Sequence, residues 1–302
     1  MKPKRIHSLI DSETNLSKEF TCLAAKTQPL YDFEKIYAGC KGKVTAIKRL
    51  LAKCCEELHL DLSFLDEDAQ KQKIYEHSDE KAVLYFQNFY PPEEQNSQEH
   101  IHWSNFRHDD WVRQKINYTY INSGNLGSEA YSPLLEIAEI LRLNSALTDT
   151  QNKTVTILFV PDKPASPAPV HSAIFASLLQ KMNVNLMCPE SHPLDFEALS
   201  KAETFTFANK QNFNLYLTPD KEVLQASDLI YKASWAKLGK DYDFNVQMNQ
   251  LAELRKTWNE LLIPENKEVF EVFSYPNFKK SELNMIEQAM KLLLQYLIAP
   301  ES

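Results

Sequence analysis

Short apolar runs rich in β-branched and aromatic residues alternate along this chain with longer segments whose apolar residues recur at helical spacing. A strand-length run followed by an amphipathic helix-length segment, repeated, is the pattern of β-α-β units. The expected fold class is therefore α/β, with doubly wound parallel sheets. The 302 residues are more than one such unit needs and suit two domains.

In the first half, Val44–Leu58 predicts a helix with Ala46, Ile47, Leu50, Leu51, Cys54 and Leu58 on its apolar side. Strands are expected at Leu60–Leu65, Ala82–Phe89 and Tyr118–Asn122. A second helix is expected at Ser132–Leu143, with Ser132 as its cap and Pro133 at its first position. The polar stretch Asn144–Lys153 suits a hinge, which places the domains at residues 1–143 and 152–302.

Beyond it, strands are expected at Thr154–Val160, Val184–Cys188, Asn214–Thr218, Asp228–Ser234 and Val269–Phe273. Helices are expected at Pro169–Met182, Pro193–Lys201, Phe244–Leu262 and Ser281–Leu297. The proline-rich PDKPASPAP contains P-x-x-P spacing, and a stiff link between strand and helix is its plainer reading.

Composition removes several function classes. Only five glycines occur, and neither G-x-G-x-x-G nor G-x-x-x-x-G-K-[ST] is present, so no nucleotide-cradling loop and no cofactor are expected. A net charge of −8, from 33 Lys and Arg against 41 Asp and Glu, argues against a nucleic-acid partner. The N-terminal MKPKRIHSLIDSETN lacks an apolar secretion core, and no window reaches the roughly 18 apolar residues of a membrane span. The expectation is a cytoplasmic protein with no membrane partner.

The five cysteines (Cys22, Cys40, Cys54, Cys55, Cys188) are odd in number, and two are adjacent, which argues for free buried thiols. Cys54, Cys55 and His59 share helical spacing, but no C-x-x-C pair accompanies them, so core cysteines are expected and no metal. His100, His102, His108, Asp109 and Asp110 form a second metal-like composition, in a stretch that reads more simply as a solvated loop and helix start. His171-Ser172 lacks a G-x-S-x-G elbow and a matching acid, so packing at a helix start is the expectation.

Seven segments, in the family's order, resemble the aspartate/ornithine carbamoyltransferase family, closest in pattern to ornithine carbamoyltransferase. D-L-I-Y-K-A-S-W-A-K-L-G (Asp228 to Gly239) resembles D-V-x-Y-x-D-x-W-x-S-M-G. T-I-L-F-V-P-D (Thr156 to Asp162) is similar to the strand ending in V-G-D, and Val170-His171-Ser172 to the V-H-S opening the next helix. V-N-L-M-C-P-E-S (Val184 to Ser191), Asn259-Glu260-Leu261-Leu262 and V-F-S-Y-P (Val272 to Pro276) resemble the next strand, N-E-E-L-L and the H-C-L-P segment. Ile121 to Ile140 lies without gaps on I-N-A-L-T-D-x-x-H-P-C-Q-A-L-A-D-L-x-T-I.

The resemblance implies a carbamoyl-phosphate-binding-like first domain and an amino-acid-binding-like second one, whose C-terminal helix packs back on the first. It also implies a homotrimer. Carbamoyl phosphate is a dianion, so its site needs arginines, helix N-terminal amides and a neutral donor for the carbamoyl oxygen. On S-T-R-T-R this sequence has Cys40, Lys41, Gly42, Lys43 and Val44, and on H-P-x-Q it has Glu129 to Ser132. Lysine keeps the charge without the bidentate fork, and an ionised Glu129 would repel the charge that develops.

The amino-acid-site positions by resemblance are Asn122, Asp162, His171, Ser172, Ala233, Trp235, Lys237 and Ser274. Ala233 stands for the substrate-orienting Asp, Lys237 for Ser, and Phe273-Ser274 for His-Cys. None of the six arginines falls on a phosphate position, whereas Leu134, Ile140, Trp235 and Pro276 suit the framework. The first expectation is a homologue in amino-acid metabolism that has lost carbamoyl transfer and binds or regulates, as a homo-oligomer or with an active relative as partner. The second is an active enzyme that moves a carbamoyl group from carbamoyl phosphate to an amino-acid amine through a remodelled site containing Lys41 and Lys43.

Overall fold

The computed structural model describes residues 5–6, 9–11, 35–39, 46–65, 83–86, 119–121, 132–159, 168–188, 194, 196–232, 263–273 and 278–298. The chain divides into two compact units, Met1–Leu141 with Ser274–Ser302, and Arg142–Phe273. The fold is α/β; among the described residues each unit holds one five-stranded sheet, and every strand pairing is parallel.

In the first unit the strands are β1 (Arg5–Ile6), β2 (Lys35–Gly39), β3 (Leu62–Leu65), β4 (Val83–Phe86) and β5 (Thr119–Ile121), in the order β1-β5-β4-β2-β3. Strand order reverses at β2, which pairs with β3 on one side and β4 on the other. Helix α1 (Ala46–Glu57) forms because Leu51, Cys54, Cys55 and Leu58 repeat at helical spacing and are all buried. That apolar face meets the C-terminal helix, here numbered α6 (Lys280–Ile298), whose Ile286, Ala289, Met290, Leu293 and Leu294 are buried. The C-terminal helix thus packs on the first unit.

An ion network edges this helix pair. Lys53 donates to both carboxylate oxygens of Glu287 at 2.7 and 2.9 Å, and Lys291 bridges Glu287 at 2.9 Å and Glu57 at 2.5 Å. Those hydrogen bonds from Lys53 and Lys291 hold the Glu287 carboxyl below its ordinary range, while bonding to Glu57 and Glu287 holds Lys291 above its own.

Helix α2 (Pro133–Ala146) carries the dividing line between Leu141 and Arg142. It runs three residues past the expected end at Leu143, so the polar connection starts later than the sequence indicates. Every residue from Ser132 to Ile140 is buried, the family-compatible Leu134 and Ile140 among them. Buried carboxylates need partners, and Glu136 Oε2 accepts the backbone N–H of Leu9 at 2.6 Å, which fastens the N-terminal turn Leu9–Asp11 to the helix.

In the second unit the strands are β6 (Thr154–Leu158), β7 (Asn183–Met187), β8 (Phe213–Tyr216), β9 (Leu229–Lys232) and β10 (Glu268–Glu271), in the order β10-β9-β6-β7-β8. The helices are α3 (Ala168–Leu179), α4 (Phe196–Asn209) and α5 (Lys221–Ala226). β6 and β7 are central and buried almost throughout, hence their nearly unbroken apolar runs. A core cluster of Leu158, Met187, Leu224 and Ile230 holds α5, whose cap Asp220 accepts the N–H groups of Glu222 and Val223.

α4 corrects the expected short helix Pro193–Lys201: it extends to Asn209 through the strand-like T-F-T-F. Ala198, Ala202 and Thr206, four residues apart, are its buried face, and that packing overrides local β propensity. β1, β2 and α5 have no counterpart among the elements expected from the sequence, and the helix expected at Phe244–Leu262 lies outside the described residues.

Scarce glycine leaves a local mark. α1, α3 and α4 end alike, with Leu60 N–H donating to Cys55 O, Met182 to Ser177 O and Gln211 to Thr206 O. The residues that turn left-handed there are His59 (φ 55°), Lys181 (φ 59°) and Lys210 (φ 56°), positions at which glycine is favoured.

Candidate functional site

In open parallel sheets, ligands bind outside the carboxyl ends of the strands, near the point where strand order reverses. Most site positions drawn from the resemblance follow such ends in the sequence. Cys40 comes directly after Gly39 of β2, Asn122 after Ile121 of β5, and Ala233 after Lys232 of β9. Asp162 follows β6 by four residues and Ser274 follows β10 by three. Lys41, Gly42, Lys43, Glu129, Trp235 and Lys237 complete this set. All eleven lie outside the described residues, as do Pro276 and the His100–Asp110 cluster.

Three site positions are described. Ser132 is fully buried directly ahead of α2, where its Oγ accepts the N–H of Leu135 at 3.5 Å and its carbonyl the N–H of Glu136 at 2.9 Å. It acts as the expected helix cap. His171 and Ser172 lie in the first half of α3 and are also fully buried, as expected of packing at a helix start. Ser132 belongs to the first unit, His171 and Ser172 to the second.

The Cys54, Cys55 and His59 trio does not converge. Both thiols point into the core, whereas His59 is exposed in the turn that ends α1. Burial pushes Cys54, Cys55 and Cys188 up to about 12, so none is a ready nucleophile. No group of three or more metal-ligating side chains occurs among the described residues.

Asp228 opens the segment most like the family's. Its Oδ2 accepts the N–H of Thr154 at 2.9 Å and its Oδ1 the ammonium of Lys153 at 3.1 Å. Partial burial works against ionisation, but these bonds and the nearby lysines prevail and lower its pKa. Its carboxylate therefore pins the start of β6, away from the strands' carboxyl ends.

Sequence reasoning missed an aromatic cluster around Arg142. The guanidinium lies 4.3 Å from the ring centroid of Phe273 and 5.1 Å from those of Tyr231 and Phe270, and Nη1 donates to the Glu271 carbonyl at 2.7 Å. Tyr231 and Phe270 meet edge to face at 5.6 Å. Phe273, at the His of H-C-L-P by resemblance, is 3% exposed. No spacing rule signals this cluster, because its members come from three separate elements.

A five-stranded parallel sheet in each of two units makes the fold that of the transcarbamylases. Solved structures of N-acetyl-L-ornithine transcarbamylase match at TM-score 0.66 with 14% identity, covering 99% of this chain and all of theirs. A complex of acetylornithine transcarbamylase with acetylcitrulline matches equally, at TM-score 0.66 and 14% identity over 99% of this chain and 100% of that one. A variant holding carbamyl phosphate and N-succinyl-L-norvaline matches at TM-score 0.65 and 15% identity, over 98% and 100%. The fold implied by the resemblance is thus the fold observed, at an identity that marks strong divergence. No family model matches the chain, and no curated protein matches it in sequence. No helix among the described residues is long and apolar enough to cross a membrane.

Proposed function

We propose that this chain is a carbamoyltransferase-fold protein of amino-acid metabolism that has given up carbamoyl transfer and works as a binding or regulatory protein. The observation that carries the reading is Phe273. By resemblance it takes the place of the H-C-L-P histidine, and it is a buried hydrocarbon ring against the Arg142 guanidinium, with no polar group to offer a ligand. Glu129, Ala233 and the absent arginines of S-T-R-T-R support the same reading from the sequence. The protein acts in the cytoplasm, as a homo-oligomer, trimeric by resemblance, or as companion to an active relative.

A second reading keeps the enzyme: Lys41 and Lys43 hold the phosphate, and another residue polarises the carbonyl. It is favoured by where strand order reverses, because those lysines follow β2, the strand at the reversal. Its ligands are carbamoyl phosphate and an amino acid.

The deciding experiment is calorimetric titration with carbamoyl phosphate, then with a bisubstrate analogue carrying an ornithine or aspartate arm, followed by assay for carbamoylated amine. Loss of transfer predicts no product with any acceptor. Micromolar binding, about −8 kcal/mol, together with product that disappears in Lys41→Ala/Lys43→Ala, would establish the enzyme instead.

A further inference from the structure

Arg142 is the first residue of the second unit and Phe273 the last. Side chain meets side chain across these two ends: the guanidinium lies 4.3 Å over the Phe273 ring, and its Nη1 grips the Glu271 carbonyl at 2.7 Å. The same cation faces Tyr231 of β9 and Phe270 of β10, which are cross-strand partners in the parallel register.

β10 needs such a hold. It has four residues, lies at the edge of its sheet against β9, and exposes Glu268, Val269 and Glu271. Past its end, Val272 N–H still donates to Lys232 O at 3.1 Å, and the buried Phe273 ring then meets the cation. A short edge strand with little apolar burial belongs to the low-stability end of a structure unless something fastens it.

We propose that Arg142 is a clasp: it fastens the point where the chain enters the second unit to the point where it leaves, holding β10 on the sheet edge. A planar guanidinium suits this role, because it stacks on rings while its edge donates to a carbonyl. The clasp does not depend on whether the protein transfers carbamoyl groups.

The test is hydrogen exchange of the full-length protein read by mass spectrometry. Peptides over β10 and residues 272–273 are compared with reference peptides over β6 and β7 of the same unit. Arg142→Met removes the cation at similar length, and Phe273→Leu removes the ring while keeping an apolar side chain. Both should speed exchange at β10 on the order of ten-fold while β6 and β7 keep their wild-type rates, and Arg142→Lys should lie between. Unchanged β10 exchange in either Arg142→Met or Phe273→Leu would overturn the clasp, as would acceleration spread equally over β6 and β7. Should Arg142→Met not fold, Phe273→Leu carries the same two outcomes alone.

Discussion

Asn214 Nδ2 donates to Asn185 Oδ1 at 2.9 Å, across two strands whose register sets these residues side by side. The bond begins a chain of donors. Asn185 Nδ2 reaches Thr156 Oγ1 at 3.4 Å, Thr156 and Ser227 hydroxyls meet at 2.5 Å, and Ser227 Oγ donates to Val223 O at 2.7 Å. Thr156 and Ser227 are fully buried and Asn185 nearly so. A buried polar series satisfied end to end specifies strand register, because a one-residue slip would strand its groups in the core. Asn185→Leu should cost about 2 kcal/mol in urea unfolding, and an unchanged midpoint would refute a stabilising role for the series.

Lys181 and Lys210 occupy left-handed turns where a Cβ is disfavoured. Lys181→Gly and Lys210→Gly should each raise stability by about 1 kcal/mol, seen as a higher Tm. The same change at Lys201, in the middle of α4, should lower stability by about 1 kcal/mol. Equal losses at all three sites would contradict the assignment of these turns.

The folded-state carboxyl of Glu287 lies below its ordinary value of 4.5, and that of Asp228 below 3.8. A depressed carboxyl stabilises above its unfolded pKa, and that stability is lost as pH falls through the folded one. Stability should therefore begin to fall below about pH 4.5. Glu287→Gln should flatten this acid limb in Tm measured against pH. The raised Lys53 and Lys291 act oppositely, their contribution waning only above the ordinary lysine value of 10.5.

Cys54, Cys55 and Cys188 are buried, with thiols pushed up to about 12. At pH 8 the thiolate fraction of each is on the order of one in ten thousand. Alkylation of the native protein, mapped by peptide, should leave these three unmodified, whereas denaturant should expose all of them. Rapid native labelling of Cys188 would show that β7 opens at its carboxyl end.

Central strands were legible because strands covered on both faces are written as unbroken apolar runs, as in Val155–Leu158. β2 was not: K-I-Y-A-G mixes charge, aromatic and small residues, and only its pairing with β3 and β4 makes it a strand. α4 was cut short because Thr204 to Phe207 alternate like a strand, and the packing of Ala198, Ala202 and Thr206 decides otherwise. For the candidate site, residue types were readable one by one against the family motifs. Ser132, His171 and Ser172 proved buried, Ser132 as the cap of α2 and the other two in the first half of α3.

By itself the sequence determined the α/β alternation and the two-part organisation. Each of these is carried by residue identity or by spacing within one element. Tertiary structure alone decided that Arg142 meets Tyr231, Phe270 and Phe273, that Glu287 joins Lys53 and Lys291, and that the Asn214 and Asn185 amides and the Thr156 hydroxyl link across the second sheet. Those contacts join residues far apart in the chain, and periodicity specifies which face of an element is buried but not which distant partner covers it.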